Sequence, residues 1–133
     1  MIAAVADTHA VLWHLAADPR LSAGARAFIE AAAERGDRIA ISAITFAEVV
    51  YLVEKKRIPV GWSDRLFAVV QSARNVFVEV PLTSGIISNL SQVPRVAVPD
   101  LPDRLIAATA LSLRVPVISR DRRIQASALD TVW

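Results

Sequence analysis

The chain has 133 residues, of which 54% are hydrophobic and 21% charged, and its formal net charge at pH 7 is +2. This length suits one domain with a substantial core, and the hydrophobic content excludes a disordered chain. The lack of cysteine excludes disulfides, thiolate metal sites and cysteine nucleophiles. We recognise no signal peptide and no membrane-spanning run, and we therefore expect a cytoplasmic protein.

Hydrophobic periodicity predicts strands that alternate with helices along the chain. The predicted strands are 2–6, 38–41, 76–80, 116–119 and 131–133. The predicted helices are 9–16, 23–35, 43–56, 62–73, 83–90, 102–113 and 122–126, and residues 93–99 are predicted to form a loop. The candidate N-caps are Thr8, Ser22, Ser42 and Ser63. This alternation predicts a single α/β domain, residues 1–133, whose parallel sheet has about five strands flanked by helices.

Four acidic residues lie at positions that such a fold would bring close together. Asp7 and Asp121 each follow a predicted strand, and reactive groups gather beyond the carboxyl ends of parallel strands. Asp103 lies in the first turn of a predicted helix. Glu48 lies in a helix that is apolar on nearly every side, where an isolated carboxylate would be strongly destabilised by desolvation. Each acid alone is compatible with a helix cap or a solvated side chain, but together they predict one site.

The chemistry of these acids favours metal-assisted hydrolysis over nucleophilic catalysis. Oxygen ligands select Mg²⁺ or Mn²⁺, and such an ion activates water toward a phosphodiester. Thr8 and Ser119 flank the acids and are predicted to support them, because a hydroxyl can hydrogen-bond a carboxylate; a role as helix caps is equally compatible with their positions.

Basic residues dominate the rest of the chain. Without the four site acids, nine of the thirteen acidic residues remain against fifteen Lys and Arg. An acidic centre in a basic surround is typical of a metal-dependent enzyme that acts on a polyanion, although ordinary solvated charges give the same count. The predicted contacts to the phosphates of such a polyanion are Arg104, Arg120 and Arg122.

Four motifs carry a resemblance to a known family: VADTHAVLW, ISAITFAEV, PDRLIAATAL and ISRD. Their order and spacing resemble the four acidic motifs of PIN domains, and more narrowly those of VapC toxins from bacterial and archaeal toxin–antitoxin pairs. The resemblance covers essentially the whole chain. It implies a Rossmann-like parallel sheet and a Mg²⁺- or Mn²⁺-dependent endoribonuclease that forms a homodimer and is held inactive by a cognate VapB-like antitoxin.

The same resemblance implies that Asp7, Glu48, Asp103 and Asp121 are catalytic, metal-binding acids. The proline of the third motif, Pro102, falls one residue later than the family pattern places it after Asp100. This shift leaves Asp100 as an alternative ligand. The capping pattern favours Asp100 as the cap of the helix, with its side chain accepting from the Asp103 amide, and Asp103 as the ligand.

Other protein classes fit the sequence less well. A haloacid-dehalogenase-like phosphatase needs a second Asp two residues after the first, where this chain has His9. A receiver domain needs an acidic pair at the first strand and a late lysine, and this chain has Ala6-Asp7 and Arg120. A stand-alone RNA-processing PIN nuclease remains an alternative, as does a degenerate PIN-like module that binds RNA or protein without cutting. The presence of all four acids argues against the degenerate module.

Overall fold

The computed structural model describes all 133 residues, and their strands form one five-stranded parallel sheet. The strands are β1 (Ile2–Ala6), β2 (Arg38–Ser42), β3 (Phe77–Val80), β4 (Val117–Ile118) and β5 (Thr131–Val132). The helices are α1 (Thr8–Leu15), α2 (Ala23–Glu34), α3 (Ala43–Glu54), α4 (Trp62–Gln71), α5 (Ser84–Ile87), α6 (Leu101–Leu113) and α7 (Arg122–Gln125). The predicted α/β architecture with about five parallel strands is confirmed. None of the helices is long and apolar enough to cross a bilayer.

The strand order is β3-β2-β1-β4-β5, so the chain builds outward from β1 in both directions. The strands β2 and β3 lie on one side of β1, and β4 and β5 lie on the other. The order therefore reverses between β1 and β4, and in open α/β sheets ligands bind beyond the carboxyl ends of the strands at such a point. The amide of Asp7 donates to the carbonyl of Ile118 at 3.0 Å, which extends the β1–β4 pairing just past the end of β1. This pairing brings the residues that follow both strands to one place.

Side chains of the central strands alternate between two separate apolar clusters, one on each face of the sheet. In β1, Ala4 and Ala6 belong to one cluster, whereas Val5 belongs to the other. Ile39 and Ala40 divide in the same way in β2. This division follows from the period of two in a strand, and burial of both faces explains why the strands are almost continuously hydrophobic.

Two of the predicted helix caps are wrong. Thr8 is the first residue of α1 and its cap is Asp7, whose side chain accepts a hydrogen bond from the Ala10 amide. The helix α4 begins after Gly61, a residue with a φ of 101° and no side-chain capping bond, so Ser63 lies inside the helix. The caps predicted correctly are Ser22 and Ser42. The predicted helix over residues 83–90 is a single α-helical turn, α5, followed by a 3₁₀ helix over Ser88–Gln92.

Candidate active site

A cavity of about 500 Å³ opens beyond the carboxyl ends of β1 and β4, and we call it the acidic cavity. Its lining residues are Asp7, Thr8, His9, Trp13, Arg20, Glu48, Asp100, Asp103, Arg120 and Asp121. All four acids singled out in the sequence line it, and Asp100 adds a fifth carboxylate. Trp13 is the only hydrophobic residue of the lining.

Asp7 is the most deeply buried acid of the cavity, with 8% of its surface exposed. Its Oδ1 accepts a 2.8 Å hydrogen bond from the Ala10 amide in the first turn of α1. Burial raises the pKa of Asp7, and the Ser119 hydroxyl and the Ala10 amide oppose this rise by favouring the charged form. The side chain is thus held just past the carboxyl end of β1, in an environment that disfavours an uncompensated negative charge.

Glu48 reaches the cavity from the middle of α3. The Thr8 hydroxyl donates a 2.6 Å hydrogen bond to Glu48 Oε1, so the predicted bond from Thr8 to a carboxylate is present. The Thr45 hydroxyl lies 3.1 Å from that of Thr8. Because Thr8 has one hydroxyl hydrogen and gives it to Glu48, Thr45 must be the donor to Thr8. Burial raises the pKa of Glu48, while the Thr8 bond lowers it.

Asp100 and Asp103 lie at the start of α6. Asp100 is the N-cap, and its Oδ2 accepts from the Asp103 amide at 3.2 Å, which confirms the predicted cap. Burial and the neighbouring carboxylates, Asp100 first among them, raise the pKa of Asp103 to about 7. Ala107 and Ala110, one and two turns further along α6, are fully buried, and their small side chains allow the helix to lie close to the sheet.

Asp121 lines the cavity and also caps the short helix α7. Its Oδ1 accepts from the Arg123 amide at 2.7 Å. The Asp121 amide donates to the hydroxyl of the fully buried Ser119 at 3.0 Å. Ser119 therefore supports the site by positioning the backbone of Asp121 and by lowering the pKa of Asp7.

None of the five carboxylates in the acidic cavity forms an ion pair. No set of three acidic, histidine or cysteine side chains is arranged so that it could hold a metal ion. A hard divalent cation such as Mg²⁺ needs only one or two direct carboxylates, because it keeps several of its waters. A cavity lined by one buried and three half-buried carboxylates, none of them ion-paired, fits such an ion. That all four acids serve as its ligands stays a prediction.

The PIN domain family model matches residues 4–128. The chain belongs to the PIN domain family. Over the full length of both proteins it is 29% identical to ribonuclease VapC22 of Mycobacterium tuberculosis. Its fold is similar to that of a toxin–antitoxin complex from Klebsiella pneumoniae, with a TM-score of 0.66 and 22% identity over 98% of this chain and 97% of that one. It is also similar to VapBC2 from Rickettsia felis bound to a promoter DNA fragment, with a TM-score of 0.70, 16% identity and the same coverage.

The predicted arginines of this PIN domain divide into one that lines the acidic cavity and two that do not. Arg120 lines it, whereas Arg122 is an exposed residue of α7 outside the lining. Arg104 donates to the carbonyl oxygens of Val93 at 3.0 Å and Leu90 at 2.8 Å. Its guanidinium therefore holds the segment before α6 in place, and its contact to RNA stays a prediction.

The sequence interpretation missed three residues of the cavity: His9, Trp13 and Arg20. Trp13 stands inside the first motif, where the apolar periodicity of α1 marks it only as a core residue. Arg20 follows the Asp18-Pro19 turn and carries no local signal of a site. Both reach the cavity through tertiary packing, which a pattern within one segment cannot predict.

Proposed function

We propose that this PIN domain is a metal-dependent endoribonuclease that acts as the toxin of a toxin–antitoxin pair and is inhibited by its cognate antitoxin. The proposal rests chiefly on the acidic cavity, which is lined by Asp7, Glu48, Asp103 and Asp121, none of which forms an ion pair. Its full-length similarity to a VapC ribonuclease supports RNA as the substrate. We place the activity in the cytoplasm, where such an RNA is made and used.

Asp7, Glu48, Asp103 and Asp121 would hold Mg²⁺ or Mn²⁺, either directly or through the waters that the ion keeps. When bound, such an ion lowers the pKa of a coordinated water and stabilises negative charge that develops on a phosphoryl oxygen. The oxygen chemistry of the cavity favours these two ions over softer metals.

The chain's own residues orient the carboxylates for this task. Glu48 is held through one oxygen by Thr8, and Asp121 through one oxygen by the Arg123 amide, so each keeps its second oxygen for the cavity. Asp7 is fixed by the amide of Ala10. Orientation of this kind reduces the reorganisation needed when substrate binds, which is where most electrostatic catalysis originates.

We further propose a VapB-like antitoxin as the inhibitory partner and a homodimer as the state of the toxin. The complexes from Klebsiella pneumoniae and Rickettsia felis, which share this fold, support an antitoxin partner. Exposed apolar side chains near α3 and α4 are compatible with either contact; they are Val50, Tyr51, Val60 and Phe67.

The direct test is incubation of the purified protein with end-labelled single-stranded RNA in Mg²⁺, in Mn²⁺ or in EDTA. We expect internal cleavage only with a divalent ion, and at least about a 100-fold loss of cleavage in Asp7→Asn. Asp64→Asn is the matched control, because Asp64 is an exposed acid of α4 outside the cavity, and it should cut normally. Wild-type protein that binds this RNA but leaves it intact in either metal would contradict a nuclease and favour a binding module.

A further inference from the structure

The indole of Trp13 carries two guanidinium groups at the edge of the acidic cavity. The Cζ atom of Arg120 lies 4.6 Å from the ring centroid, and that of Arg20 lies 5.0 Å from it. Trp13 is itself a core residue, 7% exposed, and its ring contacts that of Trp133 edge-on with the centroids 6.0 Å apart. A ring fixed in the core thus holds two cations beside a group of carboxylates.

Neither cation neutralises these carboxylates. Arg20 pairs instead with Asp18, whose Oδ1 accepts from the Arg20 amide at 2.8 Å and from its Nε at 3.1 Å. Oδ2 of Asp18 accepts from Nη2 of Arg20 at 2.8 Å. Both Nη1 hydrogens and one Nη2 hydrogen of Arg20 remain free. Arg120 makes no hydrogen bond to the protein, so its whole guanidinium is available.

We propose that Arg20 and Arg120, aligned on Trp13, bind a backbone phosphate of the RNA next to the one that is cut. This inference rests on the proposed function, in that RNA is taken as the substrate. The free edge of a guanidinium presents two parallel N–H donors that match two phosphate oxygens, a geometry that lysine lacks. Stacking on the indole orients each guanidinium without consuming its charge.

A second cavity of about 430 Å³ lies on the Arg20 side of this pair and shares His9, Trp13 and Arg20 with the acidic cavity. Beyond these shared residues its lining includes Leu52 and Trp62. An RNA strand that leaves the carboxylates through this opening would carry its next phosphate past Arg20. Apolar and aromatic walls of this kind suit a stacked base, so this cavity would hold the nucleotide next to that phosphate.

A measurement of RNA binding tests this phosphate site independently of cleavage at the carboxylates. We would measure fluorescence anisotropy of a labelled single-stranded RNA in Mg²⁺ across a salt series, using Asp7→Asn protein so that the RNA stays intact. We expect Arg20→Gln and Arg120→Gln each to weaken binding by about 10-fold. The double variant should reduce the slope of log affinity against log salt by about 0.7, the value for one phosphate contact on a single strand, and each single variant should reduce it by part of that amount. Arg20→Lys should recover the slope but only part of the affinity.

Arg35→Gln is the matched control. Arg35 also pairs with an aspartate two residues away, Asp37, with Nε to Oδ2 at 3.1 Å. This pair lies at the amino end of β2, whereas the acidic cavity opens beyond the carboxyl ends of β1 and β4. Its loss should leave affinity and slope unchanged. Asp18→Asn should weaken binding less than Arg20→Gln, because it loosens the guanidinium without removing it. Thermal melts would verify that each variant is folded.

Three results would overturn the proposal: no RNA binding by the Asp7→Asn protein, equal slopes for the Arg20, Arg120 and Arg35 variants, or loss of antitoxin inhibition with RNA binding intact. The last would assign the pair to the antitoxin. Failure of the proposed function is a different result, because wild-type protein would then never cut RNA. If the arginine variants still reduced the slope, the phosphate site would stand without the nuclease.

Discussion

The Thr8 hydroxyl donates a 2.6 Å hydrogen bond to Oε1 of Glu48, and this bond connects residues that are 40 positions apart in the sequence. Thr8 begins α1 directly after the strand-end acid Asp7, whereas Glu48 lies in the middle of α3. The bond therefore connects the acid that α3 supplies to the start of α1, next to the acid that follows β1. Thr45, which is fully buried, completes the chain of hydroxyls by donating to Thr8.

The substitution Thr8→Val tests this connection. Valine keeps the shape but removes the donor to Glu48, and it leaves the buried Thr45 hydroxyl without its partner. We expect a loss of about 1–3 kcal/mol in the free energy of unfolding. Because the Thr8 bond lowers the pKa of Glu48, its loss should also shift the acidic limb of the pH–cleavage profile upward. Thr8→Ser keeps the hydroxyl, and equal behaviour of the Val and Ser variants would contradict the assigned role.

The stability of the metal-free protein should fall as the pH rises from about 4 to about 7. Asp103, whose pKa is raised from 3.8 to about 7, keeps its proton in the folded state over this range and releases it on unfolding. Solvent screens this half-exposed group, so we expect a decrease of roughly 1–2 kcal/mol. Urea unfolding in EDTA at several pH values would measure it. Asp103→Asn should flatten the curve, and a stability that instead rises over this range would contradict the raised pKa.

A divalent ion should stabilise the fold by relieving the repulsion among these carboxylates. At an ion concentration a hundred times the dissociation constant, linkage predicts a gain of about 2.7 kcal/mol. Differential scanning calorimetry in Mg²⁺ or Mn²⁺ should therefore show a higher Tm than in EDTA. The Asp7→Asn substitution should reduce the rise, whereas Asp64→Asn should not. A melting curve that does not change across millimolar metal would count against an ion site in the cavity.

The sequence predicted the strand-end acids well because their positions follow from simple physical rules. Short, continuously apolar runs end at Asp7 and shortly before Asp121, and parallel pairing brings the carboxyl ends of such strands together. Glu48 was identified because an apolar helix does not tolerate an unpartnered carboxylate. Those three acids needed no tertiary information.

The remaining features depend on packing between distant segments. Asp7 and Thr8 are both good N-cap residues, and the choice between them is decided by the β1–β4 pairing, which places Asp7 one residue past the strand. The guanidinium of Arg104 is held by carbonyl oxygens more than ten residues before it. Arg20 and Arg120 meet over one indole although 100 positions of sequence separate them. No local pattern records contacts of this kind.

Asp100 and Asp103 should respond differently to alanine. Asp100→Ala removes the N-cap of α6 and should cost about 1 kcal/mol of stability while most of the cleavage activity remains. Asp103→Ala should abolish cleavage and stabilise the metal-free protein at pH 8, because it removes a charge that neighbouring carboxylates repel. Cleavage rates and urea unfolding of both variants would decide. An inactive Asp100→Ala beside an active Asp103→Ala would reverse the assignment of the ligand.

The central claim, that the four acids act as one metal-dependent ribonuclease site, is tested most directly by cleavage rates measured across a Mn²⁺ titration. The variants to compare with wild type are Asp7→Asn, Glu48→Gln, Asp103→Asn and Asp121→Asn, with Asp64→Asn as the control. We predict that each of the four loses at least about 100-fold in rate at low Mn²⁺ and needs more of the ion for half-maximal cleavage, while the control matches wild type. Cleavage that continues in EDTA, or that survives substitution of all four acids, would contradict the claim.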